Sequence, residues 1–166
     1  MLCKFIQNMQ LFLKNMDTVF NLETEINITP IYWRSIPIIN YGIDNKLIQT
    51  LSLTTSTKIY INEQLSIDNH FIWLEFLNKD YNDCQLDKNL DMAVQIESVI
   101  IEGMTLDRFK WAGNYYPEYP ADYPNKKTVI ESATYLGWNG KWVLPFSIPI
   151  FSWIHKLENL GWLYEP

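Results

Sequence analysis

Cysteine and histidine are nearly absent from this chain, with two of each in 166 residues. Cys3 and Cys84 stand 81 positions apart, which fits neither a Cys-x-x-Cys redox pair nor a zinc cluster, so free thiols are expected. His70 and His155, 85 positions apart, read as ordinary surface histidines rather than general bases. There is no Gly-x-Ser-x-Gly elbow, no phosphate-binding glycine loop, no Gly-x-Gly-x-x-Gly and no His-Glu-x-x-His. No apolar run reaches the length of a membrane-spanning helix. In the first segment Gln7, Asn8 and Gln10 interrupt what would be the apolar stretch of a secretory leader, so cytoplasmic synthesis without a signal peptide is expected. Positive charge is scarce: 13 Lys+Arg against 19 Asp+Glu give a net charge of −6, and only Arg34 and Arg108 are arginine. No Lys/Arg run exists to neutralise phosphates, which argues against a nucleic-acid partner.

What the chain does have is apolar and aromatic mass: 48% hydrophobic and 15% aromatic residues, enough for a core of its own without disulfides or metal. Leu2, Phe5, Ile6, Met9, Phe12, Leu13 and Met16 recur at the spacing of an amphipathic helix over 2–16. Residues 28–43, interrupted by Pro30, Pro37 and Gly42, read as short edge strands or an extended arm. Strand chemistry then takes over in Leu47–Thr54, Lys58–Gln64, Phe71–Asn78 and Met92–Ile101, rich in Ile, Val, Thr, Tyr and Phe. Phe71–Leu77 is apolar on both parities, as a central strand requires. Met92–Ile101 alternates and then changes phase, which predicts a bulge near Ser98.

At Trp138-Asn139-Gly140-Lys141 the Asn-Gly pair predicts a type I′ hairpin. That register would put Ala133, Tyr135, Trp142, Leu144 and Phe146 on the core side, with Leu136, Trp138, Lys141 and Val143 opposite. After Pro149, Ile150, Trp153, Ile154, Leu157 and Leu160 predict a closing helix near 150–160, ended at Gly161. The expected fold is mainly β, an antiparallel β-sandwich or jelly roll with short N- and C-terminal helices. The expected division is 1–44 as helix and arm and 45–166 as the sandwich.

Two segments carry candidate chemistry. Residues 78–91 hold Asp80, Asn82, Asp83, Asp87 and Asp91, oxygen donors of the kind calcium takes. Measured against an EF-hand loop the match breaks at Cys84, at Gln85 in place of the turn glycine, and at Asp91 in place of the last Glu. Calcium on Asp80, Asn82, Asp83 and Asp87 is the expectation this leaves, against a solvated acidic loop. Trp111–Tyr123 carries five aromatics in 13 residues, stiffened by Pro117, Pro120 and the adjoining Pro124. Trp111, Tyr115, Tyr116, Tyr119 and the nearby Trp138 offer flat faces for sugar C–H groups, while Asn114, Glu118 and Asp122 offer hydrogen bonds to hydroxyls; Lys141 adds to the same surface. A protein interface, including a homo-oligomer contact, and plain packing are the other readings of the same residues. Paired strand carboxylates such as Glu75 and Glu97 would be the requirement of a glycosidase.

Met92–Pro120, two strands around Ile-Glu-Gly-Met followed by an aromatic Tyr-Pro loop, resembles non-catalytic carbohydrate-binding β-sandwich modules. Together with Trp-Asn-Gly-Lys-Trp and the Pro-Ile-Phe-Ser-Trp-Ile-His ending, it also resembles small uncharacterised proteins of AT-rich marine bacteriophages. These resemblances cover 45–166. They imply a non-enzymatic phage or viral component, in the virion or the host cytoplasm, whose sandwich recognises glycan or a neighbouring virion subunit. A glycan-active enzyme and a host-directed phage protein docking through helix 2–16 are the competing expectations.

Overall fold

The computed structural model describes residues 19–160; the helix expected over 2–16, Cys3 and Gly161 lie outside them. Two five-stranded antiparallel sheets pack face to face. In chain order the strands are β1 (Phe20–Ile31), β2 (Ile38–Ile43), β3 (Lys46–Ser52), β4 (Thr57–Leu65), β5 (Asn69–Phe76), β6 (Ala93–Ile101), β7 (Met104–Thr105), β8 (Asn114–Glu118), β9 (Tyr135–Leu136) and β10 (Asn139–Ser147). Helix α1 (Asp107–Trp111) precedes β8 and α2 (Ile150–Leu157) follows β10. One sheet runs β4-β1-β6-β7, with β9 also on β6; the other runs β3-β2-β5-β10-β8.

Alternation along the strands builds the core. Leu22, Ile26 and Ile28 of β1, Ile59 and Ile61 of β4, and Val94, Ile96, Val99 and Ile101 of β6 face Ile39, Tyr41, Ile72, Leu74, Phe76, Trp142, Leu144 and Phe146 of the second sheet. The bulge lies where the phase change predicts it. Asn27 pairs with Ser98 and Ile28 with Ile96, leaving Glu97 as the extra residue. It moves the inward set from Ile96 to Val99. The C-terminal helix also stands: Ile150 and Ile154 are buried, Trp153 stacks on Phe109 at 5.7 Å, and Asn159 takes the left-handed conformation after the last turn.

Two expectations are corrected. Residues 28–43 are neither edge nor arm, because β1 is central, paired with β4 on one side and β6 on the other, and β2 lies between β3 and β5. Pro30 sits in the terminal pairs of β1, where the loss of one N–H is tolerated. The sandwich therefore begins well before residue 45. The second correction is the Asn139-Gly140 hairpin. β9 belongs to one sheet and β10 to the other, so the chain crosses between sheets at Gly137–Trp138 and does not turn back on itself. Leu136 is consequently buried and Tyr135 exposed, the reverse of the hairpin parity. Within β10 the parity holds, with Trp142, Leu144 and Phe146 inward. Two-residue hairpins occur elsewhere, at Asp44-Asn45 between β2 and β3 and at Glu102-Gly103 between β6 and β7. Glu102 and Gly103 have φ of 50° and 72°, the positive pair that a type I′ turn demands.

Gly140 serves a close approach instead. A Cβ there would lie 2.2 Å from the Tyr116 carbonyl oxygen and 2.9 Å from Pro117 Cα, and its φ of 132° is one that L-residues avoid. Gly140→Ala is expected to destabilise the fold by about 2–3 kcal/mol through strain and displacement of β8, measured as a lower urea midpoint.

His70, at the entrance to β5, is not a surface residue but 8% exposed. Its Nδ1 meets Asp44 Oδ2 at 2.8 Å and its Nε2 meets the Ser66 carbonyl at 3.0 Å. Neutral imidazole carries one N–H, so satisfying both acceptors takes the doubly protonated ring. Burial alone would lower its pKa, but the hydrogen bonds to Asp44 and Ser66 and the charges of Asp44 and Asp68 outweigh it and raise the value above 6.5. The folded state thus binds the proton more tightly than the unfolded state. The resulting stability is full below pH 6.5 and is lost as pH rises through the raised folded value. Thermal unfolding across the neutral range should show this loss in the native chain, and His70→Gln should flatten the profile while lowering acid-side stability by roughly 1.5–3 kcal/mol.

Candidate functional site

The site grows from the crossover between the sheets. Gly137 and Trp138 have left one ladder and not yet joined the other, so their backbone groups need side-chain partners. Tyr115, the inward residue of edge strand β8, supplies two: its buried hydroxyl accepts from Trp138 N at 3.0 Å and donates to the Trp138 carbonyl. Burial raises the Tyr115 pKa far above the usual phenol value, keeping this hydroxyl a donor. Lys79, three residues beyond the end of β5, supplies another and holds the Asn139 side chain as well. Its backbone N–H donates to Asn139 Oδ1 at 2.7 Å, its carbonyl accepts from Asn139 Nδ2 at 3.0 Å, and its ammonium donates to the Gly137 carbonyl. The amide that reads in sequence as a turn residue is a clamp between two loops.

The Lys79 side chain is 2% exposed and pairs with Asp91 Oδ1 at 2.6 Å. Asp91 Oδ2 accepts from the Tyr135 hydroxyl. Burial would raise the Asp91 pKa, but the hydrogen bonds from Lys79 and Tyr135 and the Lys79 charge hold it below the usual carboxylate value. Tyr135 is pushed far up by burial and by its bond to Asp91. Lys79 Nζ also lies 4.6 Å from the centre of the Trp138 ring, a cation–π contact in a desolvated setting.

Trp138, held in this way, is the wall between two adjoining cavities. The larger, about 510 Å³, is lined by Tyr81, Cys84, Gln85, Asp87, Asp122, Tyr123, Pro124 and Trp138. The smaller, about 260 Å³, adds Lys79, Asp91, Tyr115, Tyr119, Ile130 and Tyr135. Tyr119 and Tyr123 stack on each other at 4.6 Å and 8°, and Tyr123 meets Trp138 edge-on at 5.2 Å. Three rings, two carboxylates and an amide thus converge on one cleft. Cys84, a free thiol, is kept protonated there by burial and by the Asp91 charge.

Of the residues singled out from sequence, Tyr115, Tyr119, Asp122, Trp138 and Asp87 come together here. Trp111, Asn114, Tyr116 and Glu118 do not. The segment is not one loop but the end of α1 followed by strand β8, whose alternation sends Tyr115 inward and Tyr116 outward. Trp111 lies exposed beneath Lys110, whose Nζ is 5.7 Å from its ring. Lys141, expected beside Trp138, instead covers Trp73 on the outer face of the second sheet at 4.4 Å. Glu75 and Glu97 stand on strands of different sheets, so the neighbouring-strand carboxylate pair is not formed. Sequence reasoning passed over Lys79 and Tyr81, neither of which belongs to a periodic pattern, and assigned no binding role to Gln85, Tyr123 or Tyr135.

The acidic loop closes on itself. Asp80 Oδ1 accepts from Asn82 N at 2.9 Å and Asn82 Nδ2 at 2.8 Å, and Asp83 Oδ2 accepts from Asp80 N at 2.9 Å, a capping box on a single 3₁₀ turn. The bonds from Asn82 hold the Asp80 carboxyl below its usual pKa. Buried Asp83 Oδ1 has no hydrogen-bond partner within the described chain.

No protein-family profile and no curated protein matches the chain. Among solved structures it is similar in fold to "vCBM60 in complex with galactobiose", with a TM-score of 0.50 and 13% identity over 74% of this chain and 96% of that one. It is likewise similar to the SeMet form of vCBM60, at a TM-score of 0.52 and 14% identity over 74% of this chain and 89% of that one. The description of the latter concerns two families of calcium-dependent carbohydrate-binding modules linked by circular permutation. At these identities the likeness establishes the fold, a β-sandwich of the carbohydrate-binding-module kind.

Calcium takes six to eight oxygens, and the residues expected to supply them do not assemble: Asp80 and Asp83 each have one oxygen committed to the capping box, and Asp87 lines the larger cavity. Among the described residues no three His, Cys, Asp or Glu side chains are grouped to hold a metal. One orphaned oxygen, Asp83 Oδ1, is not a cage. Tyr115→Phe removes both partners of the Trp138 backbone, and an equilibrium urea titration should register a loss of about 1–3 kcal/mol.

Proposed function

We propose that this chain is a non-catalytic carbohydrate-binding module whose glycan occupies the cleft walled by Trp138, Tyr123 and Tyr81 and rimmed by Asp87, Gln85 and Asp122. The observation that carries the reading is the larger cavity itself: aromatic faces and oxygen-bearing side chains meet in one concave volume of about 510 Å³, on a sandwich of the carbohydrate-binding kind. Sugar rings use those two surfaces together, C–H faces against aromatic planes and hydroxyls against carboxylate and amide. Trp138 and the backbone around it are fixed before any ligand arrives, which limits the ordering entropy lost on binding. We propose a virion setting for this binder on the resemblance read from Trp-Asn-Gly-Lys-Trp and Pro-Ile-Phe-Ser-Trp-Ile-His alone, with a neighbouring subunit as the alternative occupant of the aromatic surface.

A glycan array on the purified chain, followed by calorimetric titration of the strongest sugar, tests the reading. Tyr123→Ala and Trp138→Phe should each weaken binding about tenfold or more, equivalent to roughly 1.4 kcal/mol, while Trp111→Ala leaves it unchanged. A blank array together with a discrete oligomer in light scattering would assign the surface to subunit contacts instead.

A further inference from the structure

The loop between β5 and β6 carries opposite charges near its two ends. Lys79 stands near its start and Asp91 near its close, and the two meet at 2.6 Å with the lysine side chain 2% exposed. The same ammonium donates to the Gly137 carbonyl on the crossover and lies 4.6 Å from the Trp138 ring centre. One positive charge therefore ties together both ends of a loop, a crossover from another part of the chain, and the aromatic wall of the cleft. A bound divalent ion does this between loops by drawing in carboxylate and carbonyl oxygens. An ammonium offers three donors to the same kinds of oxygen.

The ligands it holds are fully committed. Asp91 gives one oxygen to Lys79 and the other to Tyr135. Of the other carboxylates in the loop, Asp80 and Asp83 each have one oxygen occupied by the capping box. A divalent ion approaching Asp91 or the Gly137 carbonyl would have to displace Lys79 or sit against its like charge in a region of low dielectric. Burying a lone ammonium is costly unless it is paired and hydrogen-bonded, and here each of its three neighbours offers negative charge, a lone pair or a π face.

We propose that Lys79 is a resident cation of the cleft, holding Asp91, the Gly137 carbonyl and Trp138 in the place a divalent ion would take, so that the order of the cleft and its ligand binding are independent of calcium. The ligand half of this inference rests on the glycan reading above; the structural half does not.

The experiment uses the full chain. Thermal unfolding is followed in EDTA and again in millimolar CaCl2, CaCl2 alone is titrated into the protein by calorimetry, and the strongest array glycan is titrated under both conditions. The expected result is a melting temperature that agrees to within about 1 °C between the two buffers, since a ligand that does not bind the native state shifts nothing, no saturable heat from CaCl2, and glycan affinities equal within about twofold. Lys79→Met, similar in length and uncharged, should lower the melting temperature by roughly 10 °C by stranding Asp91, with no recovery in calcium. A melting temperature raised by calcium, saturable calcium heat, glycan binding abolished by EDTA, or a Lys79→Met chain as stable as the native one would each overturn the proposal. If no glycan binds in either buffer, the glycan reading fails, while the unfolding and CaCl2 titrations still decide the role of Lys79. If Lys79→Met does not fold, the native chain in EDTA and calcium decides it alone.

Discussion

The passage of the chain from one sheet to the other at Gly137–Trp138 is the constraint on which the cleft depends. Backbone between two ladders has no strand to pair with, and burying it unpaired is costly. Here each exposed requirement is met by a particular side chain: the Trp138 amide and carbonyl by Tyr115, the Gly137 carbonyl by Lys79, and the Lys79 backbone in turn by the Asn139 amide. Edge strand β8, the loop after β5 and the crossover are therefore mutually dependent. Trp138 stands at their meeting point because its own backbone is what they satisfy.

This polar arrangement is buried at Lys79 and Tyr115, open to solvent at Tyr135, and almost fully connected. Such networks are rigid when every member has its partner and costly when one is missing. Asp91 is shared between Lys79 and Tyr135, so the second sheet's loop is tied to β9 in the first sheet by charge as well as by packing. The aromatic rings that line the cleft come from another source, the proline-stiffened stretch after β8, where Tyr119 and Tyr123 stack before they reach Trp138. A rigid polar base carrying an aromatic wall is a sound basis for recognising a ligand with both C–H faces and hydroxyls.

Much of the sandwich was legible in the chain. The strands β3 to β6 follow runs of β-branched and aromatic residues; the Glu97 bulge follows a phase change in hydrophobicity; α2 follows a three-and-four spacing. Each signal is local, because alternation or helical periodicity is a property of neighbours in sequence. The candidate site was legible only in part. The aromatic density of Trp111–Tyr123 pointed to the right region, but strand alternation in β8 separates Tyr115 from Tyr116, and no composition argument distinguishes the two. Asn139-Gly140 misled for a related reason. Asn-Gly is a turn signal when both residues are free to take positive φ, whereas here Asn139 is held by Lys79 and Gly140 is needed for its missing Cβ against Tyr116 and Pro117.

The amino-acid sequence by itself determined that the chain is a mainly β sandwich with a C-terminal helix, that it is acidic, and that one stretch is unusually aromatic. These follow from propensity, periodicity and composition, which need no knowledge of what lies across the fold. Only the tertiary structure decided that Lys79, Asp91, Tyr115, Tyr135 and Trp138 share one cleft, that His70 is a buried partner of Asp44, and that Glu75 and Glu97 are on separate sheets. Those outcomes depend on which strands pair and where the chain changes sheet, and contacts between residues 12 to 60 positions apart leave no periodic mark on the segments that make them.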